Sequence, residues 1–479
     1  KFALRCNSGI GLPAFSSFSR QLMEPWRTQW RPAPAHLCDE WRSLNKTAKG
    51  ALERTLADLT EGSSTLSLSN CDLGNAGILL ILEALRRYPG VKNLNLASNG
   101  IDDIGATEVA KVIGQFKNLE MLCLAFNKIG NVGATALAKA VEKHDRLRLI
   151  SLDGNSVGDI GASRLIAALA WNSRPSISCT LANNTVQAFK ERATKNLAAP
   201  ATLVRELSMR GITLGQMLQV FNDGLKNGTI DPDLTTTEEV ALNIILPSTS
   251  ASQKSYVEAL GFKNVSPTSH VIHSWSCLFS ATLRNIASHV SGMSHPTLDL
   301  EDPLWLLNPA YLQKCFFLDL FCVNQNVAVN SLGPYGLLAD NAFASGEPWC
   351  QVDKLHLVAE RIQRRGGEVI FTIDPDYLVT TRFLCLRELH AALQIGLNVR
   401  AVFTSMTPPP HGRDKPKVLQ SYATNERDRQ IALDEIEASP GGIAEFDSII
   451  EKFIKEQTSQ RFERQLALMM SRKGGSRWN

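Results

Sequence analysis

Between residues 64 and 189 the apolar positions recur in register. Leu66-Ser-Leu68-Ser-Asn-Cys71, Leu94-Asn-Leu96-Ala-Ser-Asn99, Leu122-Cys-Leu124-Ala-Phe-Asn127 and Ile150-Ser-Leu152-Asp-Gly-Asn155 superpose with a constant shift of 28, and a weaker fifth copy runs Ser178-Cys-Thr180-Leu-Ala-Asn183. Each opens with apolar–polar alternation, the pattern of a short strand with one face buried. Each then reaches an Asn, or Cys71 in the first copy, suited to hydrogen-bonding backbone groups in the turn that leaves the strand. The second half of each repeat spaces its apolar residues for a helix, as in Gly105-Ala106-Thr-Glu-Val109-Ala110-Lys-Val112-Ile113. Glycines at 77, 105, 133 and 161 are small enough to let that helix lie close to its neighbour. No single unit buries its own apolar face, so the units must stack, with parallel strands on the concave side of an arc.

A strand and a helix in 28 residues resemble the ribonuclease-inhibitor type of leucine-rich repeat. That resemblance implies a curved surface that holds another macromolecule. The strand positions expected to face solvent, and so to bind protein, are Ser67, Ser69, Asn93, Asn95, Ala97, Cys123, Ala125, Ser151 and Asp153. They are small and mostly neutral, whereas an arc for a strongly charged ligand would carry charges there. An arc this short is equally suited to pack on its own chain's next domain.

Past residue 189 the period stops. Residues 190–264 read as a helical connector, with helices around Thr202–Met209 and Gly215–Leu225 and a helix start at Thr236-Thr237 followed by Glu238 and Glu239. From residue 265 to 405 apolar runs alternate with helical stretches: His270–His273, Cys315–Phe321, Glu368–Ile373 and Val399–Phe403. Uninterrupted apolar strands separated by helices imply a parallel sheet covered on both faces, with any ligand outside the carboxyl ends of the strands. Residues 406–479 begin with a rigid Thr407-Pro-Pro-Pro-His-Gly exit and continue as helices over 424–438 and 443–470, ending in a basic tail with Arg472, Lys473 and Arg477.

Ser269-His-Val-Ile-His-Ser-Trp275, Phe317-Leu-Asp-Leu-Phe-Cys-Val-Asn-Gln325 and Thr381-Arg-Phe-Leu-Cys-Leu-Arg-Glu-Leu389 occur in an order that resembles the Toll/interleukin-1 receptor (TIR) domain. The central run also looks like the fungal heterokaryon-incompatibility domain. The resemblance covers residues 265–405 and implies a flavodoxin-like parallel sheet. In TIR-like enzymes a glutamate on the helix after the third strand cleaves the glycosidic bond of NAD, which places that role on Glu388. A carboxylate there would sit beside a developing oxocarbenium ion. Trp275 or Phe279 would offer an aromatic face to the nicotinamide, Asp319 would line the same pocket, and the long loop from Cys322 to Trp349 would lie over it.

The residues themselves also support a plainer role. Leu386, Leu389, His390, Leu393 and Leu397 form one buried helical stripe, leaving Glu388 beside it, solvated or paired with Arg382 or Arg387. Asp319 is placed to cap the turn after its strand, and a fifth strand has only Val418–Tyr422 as a candidate. The leading expectation is therefore a non-enzymatic interaction scaffold, an accessory subunit of a larger assembly, with self-association through the TIR-like domain. The alternative is a TIR-type NAD hydrolase regulated by the repeats.

Composition narrows the remaining classes. A formal charge of +3 over 479 residues argues against a nucleic-acid binder that neutralises many phosphates. No stretch of 18 apolar residues is present, so no transmembrane helix is expected. Ten cysteines without a CxxC pair read as buried thiols of a reducing compartment, the cytoplasm first and a mitochondrion or plastid as the alternative. His270 and His273 lie three apart on a strand and point to opposite faces, so no metal site is expected, and no phosphate loop or nucleophile elbow implies a cofactor. Residues 1–45 hold five basic residues against Glu24 before Leu37, together with Trp26, Trp30 and Trp41. They fit either the tail of a transit peptide or an arm packed along protein, the second because the tryptophans are costly to leave in water.

Overall fold

The computed structural model describes residues 35–58, 63–86, 88, 90–172, 177–186, 195–261, 266–292, 308–326, 354–404, 413, 415–423, 426–438 and 441–474. The chain divides into two compact units, Lys1–Thr202 and Leu203–Asn479. The expected arm before residue 35 and most of the expected 322–349 loop lie outside the described residues.

In the first unit, helices α1 (Ala35–Ser43) and α2 (Lys46–Asp58) precede five strand-bearing repeats. These run β1 (Thr65–Ser67), α3 (Gly74–Leu85), β2 (Asn93–Asn95), α4 (Asp103–Ile113), β3 (Met121–Cys123), α5 (Asn131–Lys143), β4 (Leu149–Ser151), α6 (Asp159–Trp171) and β5 (Ser178–Thr180). The strands form one parallel sheet in sequence order. Leu66, Leu94, Leu122, Ile150 and Cys179 sit in register at its centre with their side chains in the core. Leu52 and Ala48 of α2 are buried as well, while the Asn45 amide reaches the Asp72 carboxylate at 2.5 Å. The helical pair thereby closes an end of the stack that would otherwise expose apolar surface.

Two side-chain ladders hold neighbouring repeats together. In the first, Nδ2 of Asn127 donates to the carbonyls of Leu96, Leu124 and Ala125, while its Oδ1 accepts from the amides of Asn99 and Ile101. Asn99 and Asn155 make equivalent bonds. In the fifth repeat this role falls to Asn184, which donates to Leu152 and Leu181 carbonyls, and not to Asn183 as the period suggests. The reason is one inserted residue: β4 and β5 pair Ile150 with Cys179, a shift of 29.

The second ladder was not apparent in the sequence. Asp103 Oδ1 accepts from the amides of Gly130 and Gly133, and Asn131 Oδ1 accepts from those of Gly158 and Gly161. The second and third repeats thus cap the first turn of the next repeat's helix, whose own N-cap residue is a glycine that supplies no side chain. A Cβ on Gly133 would lie 2.7 Å from Asp103 Oδ1 and 2.9 Å from Ala106 Cβ, so glycine there is required by this close approach.

The second unit is built on a five-stranded sheet. Its elements are α7 (Ala198–Leu207, which crosses the division), β6 (Ile212–Thr213), α8 (Leu214–Asn227), α9 (Thr237–Val240), α10 (Leu246–Thr249), α11 (Tyr256–Ala259), β7 (Ser269–Ile272), α12 (Phe279–Ser291), α13 (Pro309–Leu312), β8 (Cys315–Leu318), α14 (Asp319–Cys322), α15 (Leu355–Arg364), β9 (Glu368–Ile373), α16 (Phe383–Gln394), β10 (Val399–Phe403), α17 (Glu426–Ala438) and α18 (Gly442–Gly474). The spatial order is β10-β9-β7-β8-β6. Strands β7 to β10 are parallel, and β6 pairs antiparallel with β8.

Alternate strand residues enter two cores. Val271, Phe316, Leu318 and Ile370 pack with Phe221 of α8, Leu283 of α12 and Val358 of α15. Ile272, Val369, Phe371 and Ile373 pack with Leu386 and Leu389 of α16 and with Phe446, Ile450 and Phe453 of α18. Burial on both faces is why these strands read as continuous apolar runs.

Three expectations change here. Residues 203–264, read as a connector, belong to the second unit: Ile212 pairs with Phe316 in the sheet, and Leu214, Met217 and Phe221 are buried in its core. Capping boxes at Thr213/Gln216 and Thr236/Glu239 start α8 and α9. The apolar run after Cys315 leaves the sheet at Leu318, and Asp319 begins a helical turn. Val418–Gln420 is a turn of 3-10 helix, and Tyr422 makes only an isolated bridge with Arg382, so no fifth parallel strand forms from that segment.

Candidate functional site

On the arc, the solvent-facing rows flank each central strand residue. Thr65, Asn93, Met121, Leu149 and Ser178 form one row, and Ser67, Asn95, Cys123, Ser151 and Thr180 form the next. Met121 and Leu149 were missed by a reading that started each copy at its central apolar residue. They put an apolar spot in the middle of a polar, neutral face, with Met121 43% exposed. Along the margin, Glu120 lies 3.7 Å from Lys92 and 3.8 Å from Arg148, so one carboxylate is shared between two cations.

Two nominated residues are less available than expected. Ala125 is buried, since its backbone is drawn in by the Asn127 ladder. Asp153 is committed to the fold, accepting from Ser151 Oγ, Thr180 Oγ1 and the Ala182 amide. Ser67 and Ser69 are exposed, while Asn93, Asn95, Cys123 and Ser151 are half-buried.

In the second unit, the carboxyl ends of three adjacent parallel strands converge. His273 follows β7, Asp319 follows β8 and Asp374 follows β9. His273 Nε2 donates to Asp319 Oδ1 at 2.6 Å, Trp275 Nε1 donates to Oδ2 at 3.1 Å, and the Leu320 amide donates to Oδ1 at 2.7 Å. Burial works against a charge on Asp319, but the His273 ring and these donors outweigh it and hold the carboxyl below its ordinary range. The sequence nominated Trp275 and Asp319, and the fold brings them together. Asp374 accepts from Cys277 Sγ at 3.1 Å and from the amides of Asp376 and Val379.

Glu388 takes a histidine as partner, which the sequence did not suggest. His270 on β7 and Glu388 on α16 meet across 2.5 Å, with the carboxylate side chain 15% exposed. Because a carboxylate only accepts, the His270 Nε2 donates, and its buried Nδ1 has no partner among the described residues. The imidazole also stacks on Phe317, with centroids 5.1 Å apart. His270 lies on the same sheet face as Ile272 and therefore meets α16, while His273 turns to Asp319 on β8's side.

Phe279 requires correction as a cofactor-facing residue. It is fully buried, with its ring 6.2 Å from Phe221 and 6.3 Å from Phe321, so no face is left for a ligand. Its position on α12's apolar stripe was the available signal. The sequence offers Arg382 only as a partner for Glu388 and Tyr422 only as the end of a candidate strand, whereas Arg382 sits over the Tyr422 ring at 4.9 Å and Tyr422 Oη meets Ser276 Oγ at 2.7 Å, on the rim near Trp275.

Cys277, Cys322 and Cys385 are buried thiols pushed upward in pKa, chiefly by desolvation, and Cys315 is pushed up to about 12 by the same cause. Such thiols remain protonated and are poor nucleophiles. No group of three or more His, Cys, Asp or Glu side chains among the described residues is arranged to hold a metal ion. No helix among them is long and apolar enough to cross a membrane.

The depressed Asp319 pKa predicts an acid effect. Its folded-state value lies below its unfolded value, so the pairing contributes stability above the unfolded pKa and loses it as pH falls through the folded one. A thermal melt series from pH 7 to pH 3 should show Asp319→Asn less stable than the natural chain near neutrality, with the gap closing below about pH 4. A constant gap across the series would assign the loss to packing instead.

A leucine-rich repeat family model matches residues 91–110 and 117–138. No curated protein gives a significant match to the chain. Among solved structures, leiomodin-1 actin-binding site 2 aligns over 39% of this chain and 98% of that one, at 18% identity and a TM-score of 0.27. Residues 91–138 are leucine-rich repeats, and the arc described above extends the same register on both sides.

Proposed function

We propose that this chain is a non-enzymatic protein-interaction scaffold, an accessory subunit of a larger assembly, that holds a protein partner on the concave face of its leucine-rich repeats. The observation carrying this reading is the strand face itself. Met121 and Leu149 stand side by side within two rows of otherwise small neutral side chains, and the marginal charges are confined to Glu120 and the two cations that share it. Such a surface suits a partner presenting an uncharged polar segment with an apolar anchor, where packing supplies affinity and charge contributes little. The second unit enters this proposal as a degenerate TIR-like, flavodoxin-like module: among its four parallel strands the second, β8, lies beside the first, β7, and the third and fourth, β9 and β10, lie on the other side. Its nominated polar groups serve one another, Glu388 with His270 and Asp319 with His273 and Trp275.

The test is isolation of the chain with its companions from its native source, repeated with Met121→Glu and Ser151→Arg. Companions lost in both variants, with folding intact by circular dichroism, support the reading. Companions retained in both remove the concave face from it.

One observation favours a second reading, NAD glycosidic-bond cleavage. Glu388 lies on the helix after β9, and His273, Asp319 and Asp374 gather at strand carboxyl ends where open parallel sheets bind ligands. Release of nicotinamide from NAD by the concentrated full chain, abolished in Glu388→Gln, would overturn the scaffold-only view.

A further inference from the structure

A different surface of the repeat unit carries an inference of its own. The residue four past each strand centre has a left-handed backbone in all five repeats: Asn70, Ser98, Phe126, Gly154 and Asn183, with φ between 54° and 64°. Asn, Ser and Gly suit that conformation, and a bulky Phe is an outlier there. The Phe126 side chain gains little packing in return, since the residue is 61% exposed, with its ring lying over Gly154, where a Cβ would come within 2.5 Å of it. The same loops lead into α4, α5 and α6, whose second residues are Ile104, Val132 and Ile160. These occupy one position of the 28-residue register and are 67%, 67% and 57% exposed. Three exposed aliphatic side chains are therefore lined up at the helix starts by the period itself, with Phe126 on the loop that leads into Val132, while the matching residue of the first repeat is Ala76.

We infer that this margin is a second docking surface, separate from the concave face, for an amphipathic helix of a partner protein with aliphatic residues seven apart and basic residues beside them. Spacing supports the helix: neighbouring packed helices lie about 8 to 10 Å apart, and seven helical residues rise about 10.5 Å. Successive heptads can then meet Ile104, Val132 and Ile160 in turn. Charge supports the basic flank, because Asp102, Asp103 and Asp159 place carboxylates at the starts of these helices against Lys128 in the same loops, even though Asp102 and Asp103 also accept backbone hydrogen bonds as caps. Phe126 is the anchor, an exposed aromatic kept where the backbone disfavours it, as binding hot spots are enriched in aromatics.

The test uses the full chain and two synthetic 28-residue helical peptides with leucine at every seventh position, one with flanking lysines and one with flanking glutamates. The lysine peptide is expected to bind, and Phe126→Asn or Val132→Ser to weaken it at least tenfold. Met121→Ser on the concave face should leave its affinity unchanged. Phe126→Asn should also raise the melting temperature of the repeat unit by about 2 to 4 °C, because asparagine tolerates the left-handed backbone. Equal binding of both peptides, no binding of either, an affinity indifferent to Phe126→Asn, or a lowered melting temperature in that variant would each overturn the inference. None of these outcomes touches the concave-face reading, which rests on Met121 and Ser151.

Discussion

Replacing Asn127 with leucine is expected to destabilise the repeat unit by about 3 to 5 kcal/mol, the largest effect of any single substitution on the arc. The side chain closes five hydrogen bonds with the backbone of two repeats, and all five partners are drawn inward with it. Leucine has a similar volume but leaves three carbonyls and two amides without their partner in a site that excludes water, where each orphaned group costs about 1 to 3 kcal/mol before relaxation. Asn127→Asp tests the chemistry separately, since its carboxylate would face the carbonyls of Leu96, Leu124 and Ala125 with no hydrogen to donate. Urea unfolding should show both variants melting earlier. Their transitions should also broaden, because a solenoid is held by nearest-neighbour contacts and this break falls between its second and third repeats. Asn183→Ala, at an exposed position outside the ladder, should cost far less. Equal losses for Asn127→Leu and Asn183→Ala would show that the ladder adds little to cohesion.

The contrast between those two asparagines shows what the sequence could and could not disclose. A constant shift of 28 exposes the repeats because every copy must present the same residue types to the same neighbours. It misplaces the fifth asparagine because one inserted residue moves the pairing to 29 without erasing the pattern. The capping by Asp103 and Asn131 stayed hidden since each acts on the next repeat, at a separation that no local capping rule inspects.

In the second unit, long apolar runs disclosed β9 and β10 to the residue. Two-residue β6 has no periodicity to detect, and its place in the sheet depends on Phe316 and Cys315, far along the chain. The candidate site followed the same rule. Its residue types were visible as motifs, but pairings such as His270 with Glu388 join positions 118 apart and exist only once the strands and helices have assembled. Phe279 was misjudged because an aromatic after a strand looks the same in sequence whether its ring faces a cleft or, as here, Phe221 and Phe321.

That His270–Glu388 pairing determines how any activity test at Glu388 must be built. Glu388→Leu is expected to destabilise the second unit by about 2 to 4 kcal/mol, because it leaves both ring nitrogens of a buried imidazole without partners. The double variant His270→Phe/Glu388→Leu should recover much of that loss. A phenylalanine can keep the stacking on Phe317, and no buried polar group then remains to be satisfied. Glu388→Gln should fall within about 1 kcal/mol of the natural chain, since its amide oxygen still accepts from Nε2. A double-mutant cycle by urea denaturation reads these values directly. Additive losses from His270→Phe and Glu388→Leu would mean that the two side chains do not interact in solution. If the coupling is found, an alanine at 388 that lacks NAD turnover says nothing about chemistry, because the fold has been weakened at the same stroke. Glu388→Gln preserves the hydrogen bond and removes only the carboxylate's charge. Turnover present in the natural chain and lost in that variant would then assign Glu388 a chemical role beyond its structural one. Absence of turnover in both would leave the pair as the polar clasp between β7 and α16.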